Sequence, residues 1–454
     1  MALSSFWYGS VFLLVLFLVL SLLALNWRLH SNESYASNRL NTLISQLSSQ
    51  NTTSFLRTHI TNTSKEIFHQ RVDIPNNRID TDLIRCRNQT LCISPQLQLR
   101  PTFNVYFCKH INFGIRFFFL VREGLLLHPK IRLVHSPQAA DYIIYLPESS
   151  RWEKTECALP ELHNKTIVLD ESDYPNLFEP SKEVHFLLSF KRSYVQRSDG
   201  RFKHYMNYVT DPTVFPMTYT LAEIYIRHLF KRYQERTIDI LCSLRAIPSD
   251  PTRTRVKKWI DEYISLHGLS ESAYSGEVNS MSRPVISKQY FERMYSSKII
   301  VTSNPSNWEG DFRLCEALAT GALIFVDEMY VPRQKPFIHG KHVIYYNSHN
   351  KSDLFQKLDY YLSQPDVSKK IAEDGYLHAM KYHRAANLID YVFRTLDAKL
   401  TAERENKMDL LLHNPDFASK YQYEETGYAL RLQAIQLQKS ITARGKSGNL
   451  KFQE

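Results

Sequence analysis

The chain has 454 residues, too many for one small core, and its 43% hydrophobic and 13% aromatic side chains are enough to fill two compact domains. Only 13 glycines occur, and neither a Walker-type nor a dinucleotide-type Gly-rich phosphate loop is present. The net charge of +10 favours anionic partners such as phosphates, acidic glycans or lipid headgroups. Lys and Arg are nevertheless scattered among Asp and Glu without a basic block, which argues against a nucleic-acid partner.

Residues 2–27 carry no charged side chain, and Val11–Leu25 is almost wholly aliphatic and aromatic. A span of about 20 apolar residues crosses a bilayer. Phe6, Trp7 and Tyr8 before it and Trp27 after it stand where interfacial aromatics belong. A cleaved signal peptide has a shorter apolar region, about 7–15 residues, after a basic start that is missing here. Residues 1–27 are therefore expected to form a cytoplasmic tip and an uncleaved signal-anchor. Arg28 and His30 follow the span and no Lys or Arg precedes it, so charge mildly opposes that orientation. Asn32, Asn51, Asn62, Asn88, Asn164 and Asn350 each begin an Asn-x-Ser/Thr sequon, and four of them precede residue 90. That cluster suits a glycosylated luminal stem over 28–100, on a single-pass protein of the Golgi or endoplasmic reticulum membrane. Cys86 and Cys92 flank a short polar loop and are candidates for a disulfide in an oxidising lumen. Cys108 and Cys157 are open to pairing, whereas Cys242, in a strand pattern, and Cys315, in a helix pattern, read as buried free thiols.

From residue 101 the texture changes from polar to alternating short apolar runs. Phe103–Cys108, Ile131–His135, Asp141–Leu146, Thr166–Asp170 and Val184–Phe190 are strand candidates, with a helix over Ile115–Leu126. This unit, 101–217, ends at a turn over Pro212–Pro216 and is followed by a linking helix from Thr218 to Tyr233, within 218–235. A second series spans 236–400. Its strands are expected over Thr237–Leu244, Lys298–Thr302, Ala322–Asp327 and His342–Tyr346. Helices are expected over Arg253–Leu266, Lys288–Ser296, Asp311–Thr320, 352–363 and 368–400, leaving a partly helical tail over 401–454. Strands alternating with helices predict parallel sheets, so the expected fold is α/β with two Rossmann-like lobes binding ligand at the carboxyl ends of their strands.

The richest segment runs from Ser303 to Asp327 and reads strand, loop, helix, Gly stop, strand. Asp311 is placed to cap the helix, whose free N–H groups and positive end suit a diphosphate. Arg313 and Glu316, three apart, share a face. An arginine there offers a planar fork to phosphate, and a glutamate accepts hydrogen bonds from a diol. As a mere solvated pair they would contribute a few tenths of a kcal/mol, about 0.2–0.5.

Phe312-Arg-Leu-Cys-Glu-Ala-Leu-Ala-Thr-Gly followed by Ala-Leu-Ile-Phe-Val-Asp327 resembles the donor-site helix and strand of exostosin-like and group 1 glycosyltransferases, which share the two-Rossmann-domain GT-B fold. The clear match covers about 25 residues, with a looser one over 236–395. The resemblance implies a metal-independent glycosyltransferase without a bound cofactor, using a nucleotide-sugar as co-substrate and a glycan or glycoprotein as acceptor. It implies that Glu316 holds the donor ribose and that Arg313 sits near the phosphates. Many members carry two glutamates separated by seven residues, whereas Glu309 and Glu316 are separated by six here.

Further candidates come from strand ends. Arg245 ends the first strand of the second series, and Arg253 and Arg255 open the next helix. Lys191 and Arg192 follow a strand of the first lobe and are further donor-binding candidates beside Asp311. Asp170 and Asp173 follow another and are candidates for the general base of an inverting transfer. Asp80-Thr-Asp82 falls in the stem rather than after a catalytic-domain strand, so no metal is implied. Two rival readings stand beside this one: a non-catalytic glycan- or partner-binding protein of the same fold, and another luminal transferase such as a sulfotransferase.

Overall fold

The computed structural model describes residues 101–108, 116–147, 156–172, 185–192, 194, 214–222, 235–244, 251–276, 288–305, 311–329, 331–408, 426–427, 429–430 and 433. The expected anchor and stem, the sequons at Asn32, Asn51, Asn62 and Asn88, Cys86, Cys92, Asp80 and Asp82 lie outside them. Among the described residues, no helix is long and apolar enough to cross a membrane.

The first lobe is built on β1 (Phe103–Phe107), β2 (Ile131–Leu133), β3 (Tyr142–Tyr145), β4 (Thr166–Asp170), β5 (Leu188–Lys191) and β6 (Val214–Pro216). They pair in the order β2-β1-β3-β4-β5-β6, every pair parallel. All five residues of β4 are buried, as expected of an apolar run covered on both faces. Helix α1 (Arg116–Leu127) joins β1 to β2. A disulfide between Cys108 and Cys157, with Cα atoms 6.3 Å apart, ties the end of β1 to the segment before a short 3-10 helix, Pro160–Lys165.

The second lobe is built on β7 (Ile238–Cys242), β8 (Ala273–Ser275), β9 (Ser297–Val301), β10 (Leu323–Asp327) and β11 (Ile344–Tyr346). Their order is β11-β10-β9-β7-β8, again parallel throughout. Helices α2 (Pro251–Leu266), α3 (Lys288–Tyr295), α4 (Phe312–Thr320), α5 (Lys351–Ser363), α6 (Pro365–Tyr382) and α7 (Ala385–Arg404) complete it. Helix α4 starts on Asp311, whose carboxylate accepts from the Leu314 N–H, and stops on Gly321 at φ 69°, a left-handed conformation that glycine adopts without strain. Cys242 and Cys315 are buried free thiols, and burial pushes Cys242 up to about 12.

Three expectations need correction. Residues 214–216, read as a turn, form β6, with Pro216 at the strand end where a missing N–H costs least. Residues 217–222 do not open a helix; Leu221 forms a parallel bridge with Arg384, and the rest of the expected helix lies outside the described residues. The single helix expected over 368–400 is two, α6 and α7, broken at His383–Arg384. There the Leu221 N–H donates to the His383 carbonyl (2.7 Å) and the Ala385 N–H to that of Leu221 (2.9 Å), so an extended segment takes up the backbone groups freed by the break.

Helix α7, which chain order sets with the second lobe, packs along α1 of the first. A Cβ on Gly124 of α1 would meet the Ala385 carbonyl oxygen at 2.5 Å, so only glycine allows this approach. Phe393 stacks on Phe103 with centroids 5.0 Å apart, and the Tyr391 hydroxyl donates to the Pro216 carbonyl at 2.6 Å.

Candidate functional site

The parallel strands of the second lobe deliver their carboxyl ends beside the N-terminus of α4. Asp311, 5% exposed, is the hub. Its Oδ1 accepts from the Leu314 N–H (3.2 Å), while its Oδ2 accepts from Arg253 and, at 3.4 Å, from Arg313. Arg253, near the start of α2, also donates from Nε to the Ser303 carbonyl just past β9 (3.0 Å). Two guanidinium groups therefore share one carboxylate at the positive end of a helix, an arrangement that favours a further anion.

Polar atoms left over at this edge point the same way. Arg313 Nε, Ser243 Oγ just after β7 and Thr302 Oγ1 just after β9 are buried with no hydrogen-bond partner among the described residues. Buried polar groups ordinarily find partners, so unmet capacity at neighbouring strand ends marks space for a polar ligand or water. The edge is otherwise well ordered: the Tyr346 hydroxyl donates to the Thr302 carbonyl (2.8 Å), and Asn304 donates from its backbone and side chain to Asp327 Oδ1, both at 2.8 Å. Glu316, fully buried on the same helix, accepts from the Tyr290 hydroxyl of α3 at 2.7 Å.

At the first lobe's edge, Asp170 ends β4 and Lys191 ends β5, directly paired in register. Lys191 Nζ lies 3.1 Å from Asp170 Oδ2 and donates to the Ser172 carbonyl at 3.1 Å, while the Ser172 N–H donates to Asp170 Oδ1 at 2.9 Å. Arg192, 1% exposed, donates from Nε and Nη2 to the Glu171 carbonyl at 2.9 and 2.7 Å. Lys191 and Arg192 thus have partners inside their own lobe.

The two edges meet through aromatic rings. The Arg192 guanidinium lies 4.6 Å from the centroid of Tyr219, whose hydroxyl donates to Glu171 Oε2 (3.2 Å). The Tyr219 ring stacks at 3.9 Å, 20° from parallel, on Phe312, the first residue of α4. Behind them Tyr219, Asp311, Cys315, Arg333, Phe337 and His383 line a small cavity, with room for a water and little more.

The structure clusters Asp170, Lys191 and Arg192 at the edge of the first lobe and places Asp311, Arg313 and Glu316 on or at the start of α4 in the second. Asp173, Arg245 and Glu309 lie outside the described residues. Arg255 donates to the Ser348 carbonyl (2.9 Å) and rests over the Trp259 ring. The sequons at Asn164 and Asn350 are exposed; Asn350 caps α5 through its side-chain oxygen, which leaves the amide nitrogen for a glycan. Sequence reasoning missed Tyr219, Tyr290, Ser243 and Thr302, although the two hydroxyl residues carried one usable signal, a position just past a buried strand. Among the described residues, no group of three or more His, Cys, Asp or Glu is placed to hold a metal ion.

A search of curated proteins gave no match. Among solved structures the chain is similar to an alpha-glucosyltransferase in complex with UDP and DNA, at 10% identity over 65% of this chain and 100% of that one, with a TM-score of 0.44. It is also similar to a glycosyltransferase from Rickettsia africae (14% identity, 67% and 99% covered, TM-score 0.38). A third is an alpha1,3-fucosyltransferase (10% identity, 66% and 91% covered, TM-score 0.38). Residues 230–394, which hold the second sheet, α4 with its arginine–carboxylate hub and the first half of α7, match the model of the family described as glycosyl transferase-like.

Proposed function

We propose that this chain transfers a sugar from a nucleotide-sugar donor to a glycan or glycoprotein acceptor, working in the Golgi lumen from a single N-terminal anchor. One observation carries the assignment: the buried Arg253–Asp311–Arg313 network at the N-terminus of α4, flanked by polar atoms that have no partner among the described residues. Guanidinium, hydroxyl and helix N–H groups all donate hydrogen bonds, and a nucleoside diphosphate supplies the matching acceptors and charge. In the transfer an acceptor hydroxyl oxygen bonds to the anomeric carbon as the bond from that carbon to the diphosphate oxygen breaks. The hydroxyl proton passes to a base, and Arg313 with the helix end meets the charge left on the diphosphate. Glu316 takes the ribose diol in place of the Tyr290 hydroxyl. The donor is a co-substrate, and no cofactor is required. Luminal placement is supported by the apolar span before residue 28 and by the six sequons.

Calorimetric titration of the protein with UDP and with GDP tests the donor site. Wild type is expected to bind at least one of them, and Arg313→Ala to weaken that binding about tenfold or more. Unaltered affinity in the variant would rule the site out. Mapping glycans on Asn51 and Asn62 tests the compartment, since bare asparagines on membrane-integrated protein would contradict a luminal stem.

A further inference from the structure

The contact between the lobes at the start of α4 is an aromatic stack with polar edges. Phe312 is the first residue of that helix, between Asp311 and Arg313. Its ring is covered by Tyr219 at 3.9 Å. The Arg192 cation lies 4.6 Å from the Tyr219 ring centroid, and the Tyr219 hydroxyl is tied to Glu171 at 3.2 Å. Arg192 is itself held by the Glu171 carbonyl. Arg192 and Glu171 both come from the carboxyl edge of the first sheet, so two charged residues of one lobe converge on a single ring. That ring bears on the helix end of the other lobe. Phe119 of α1, 6.3 Å from Phe312, and Phe117, 5.6 Å from Tyr219, add the first lobe's helix to the same stack.

We propose that Tyr219 is a positioning residue for donor binding: clamped between Arg192 and Phe312 and tied to Glu171, it lets the first lobe set the pose of the anion-binding end of α4. This rests on the reading of α4 as the donor site. Tyr219 need not touch the nucleotide. A guanidinium fork must meet a phosphate within a fraction of an ångström, and small displacements of a binding group lose much of its effect. A polar-edged aromatic stack resists sliding better than an aliphatic seam because its cation–ring and hydroxyl–carboxylate contacts have preferred geometry.

The test uses full-length protein titrated with UDP and GDP. Tyr219→Leu removes the ring and is expected to weaken nucleotide binding about tenfold. Tyr219→Phe keeps the ring stack and loses only the tie to Glu171, so it is expected to weaken binding less than Tyr219→Leu does, by no more than about threefold; a loss equal to that of Tyr219→Leu would overturn the role given to the stack. Phe393→Leu, in the α1–α7 seam, serves as the packing control: it should lower the unfolding midpoint and leave affinity unchanged. Should Tyr219→Leu fail to fold, Arg192→Met takes its place, removing the cation but neither ring, with an expected loss of about threefold to tenfold. Wild-type affinity in Tyr219→Leu, or an equal loss in Phe393→Leu, overturns the proposal. If Arg313→Ala also binds as wild type, or wild type binds neither nucleotide, the donor-site reading fails and takes this inference with it. If Arg313→Ala loses binding and Tyr219→Leu does not, the inference alone fails.

Discussion

At the carboxyl edge of the first sheet, Lys191 faces Asp170 at 3.1 Å and Arg192 gives two hydrogen bonds to one backbone carbonyl. At the same edge of the second sheet, Arg253 and Arg313 share the single carboxylate of Asp311, and Arg313 Nε has no partner among the described residues. Both edges bury cations at strand ends. In the first lobe Lys191 and Arg192 bond to Asp170, Ser172 and the Glu171 carbonyl and so tie β4, β5 and the segment after them together, although Arg192 Nη1 has no hydrogen-bond partner among the described residues. In the second, among the described residues, two guanidinium groups share one carboxylate, and the Ser243 and Thr302 hydroxyls nearby have no hydrogen-bond partner. The difference lies in how the carboxylates are shared: one cation to Asp170 in the first lobe, two to Asp311 at a helix N-terminus in the second.

The strongest way to break that comparison is to remove a carboxylate from each edge. Asp311→Ala leaves two buried guanidinium groups without their shared counter-ion and deletes a helix cap, an expected loss of about 3–5 kcal/mol in chemical denaturation. Asp170→Leu alone strands Lys191, and a similar loss of about 3–5 kcal/mol is expected. The edges should differ on repair. Asp170→Leu with Lys191→Met is expected to recover most of the stability and to keep nucleotide affinity, because a buried pair is replaceable by apolar side chains. Arg253→Met with Asp311→Leu is expected to recover part of the stability while nucleotide binding stays lost in calorimetry. Equal affinity in the two double variants would erase the distinction.

Glu316→Ala sharpens the second edge. Glu316 is fully buried and holds the Tyr290 hydroxyl, so truncation is expected to cost about 1–3 kcal/mol of stability as well as donor affinity. Arg313→Ala is therefore the cleaner probe of binding, and Arg313→Lys should restore charge without the fork and recover only part of the affinity.

A milder effect is expected from pH, at the break between α6 and α7 beside the cavity. His378 and His383 both place Nε2 2.8 Å from the Lys335 carbonyl, and His342 stacks on His378 at 3.9 Å while its Nδ1 accepts from the Ile338 N–H. Burial first, then His378 and Lys341, lower His342 to about 4 against an opposing pull from Asp374. Burial, then His378, put His383 well below its ordinary value, with Arg333 and His342 adding to the effect and the bond to Lys335 opposing it. The unfolded chain then binds more protons than the folded one between the depressed values and about 6.5. The contribution is fully present above about pH 6.5 and is lost as pH falls toward the folded values. The unfolding midpoint should drop between about pH 6.5 and 5, and His342→Asn, which keeps an acceptor near Nδ1, should flatten that slope. The smallest effect is expected at the exposed Lys370–Asp374 pair on α6, where Lys370→Ala should change stability by less than about 0.5 kcal/mol.

Much of this was legible before folding. Period and punctuation located β4, β7, β9, β10, α2 and α4 within a few residues, because apolar runs buried on both faces and a capped, Gly-stopped helix are local patterns. Asp311 as a cap and Arg313 beside it were readable for the same reason. Local patterns failed where a distant segment decided the outcome. Leu221 takes up the backbone groups between α6 and α7, so one apparent helix is two, and β6 exists because β5 offers it an edge.

The sequence by itself determined the alternation of strand and helix, the parallel α/β class and the helix end that presents Asp311 and Arg313, since each follows from residues within one or two turns of each other. Only the tertiary structure decided how charge is shared. Arg253 reaches Asp311 across 58 positions and Tyr219 reaches Glu171 across 48, and no short-range pattern encodes such pairings. It also gave Lys191 and Arg192 partners within the first lobe, at Asp170, Ser172 and the Glu171 carbonyl, and set Arg313 beside Asp311 at the start of α4. The physical reason is that a buried ion's role depends on which partners the fold places within a few ångströms, and that is a property of packing rather than of spacing along the chain.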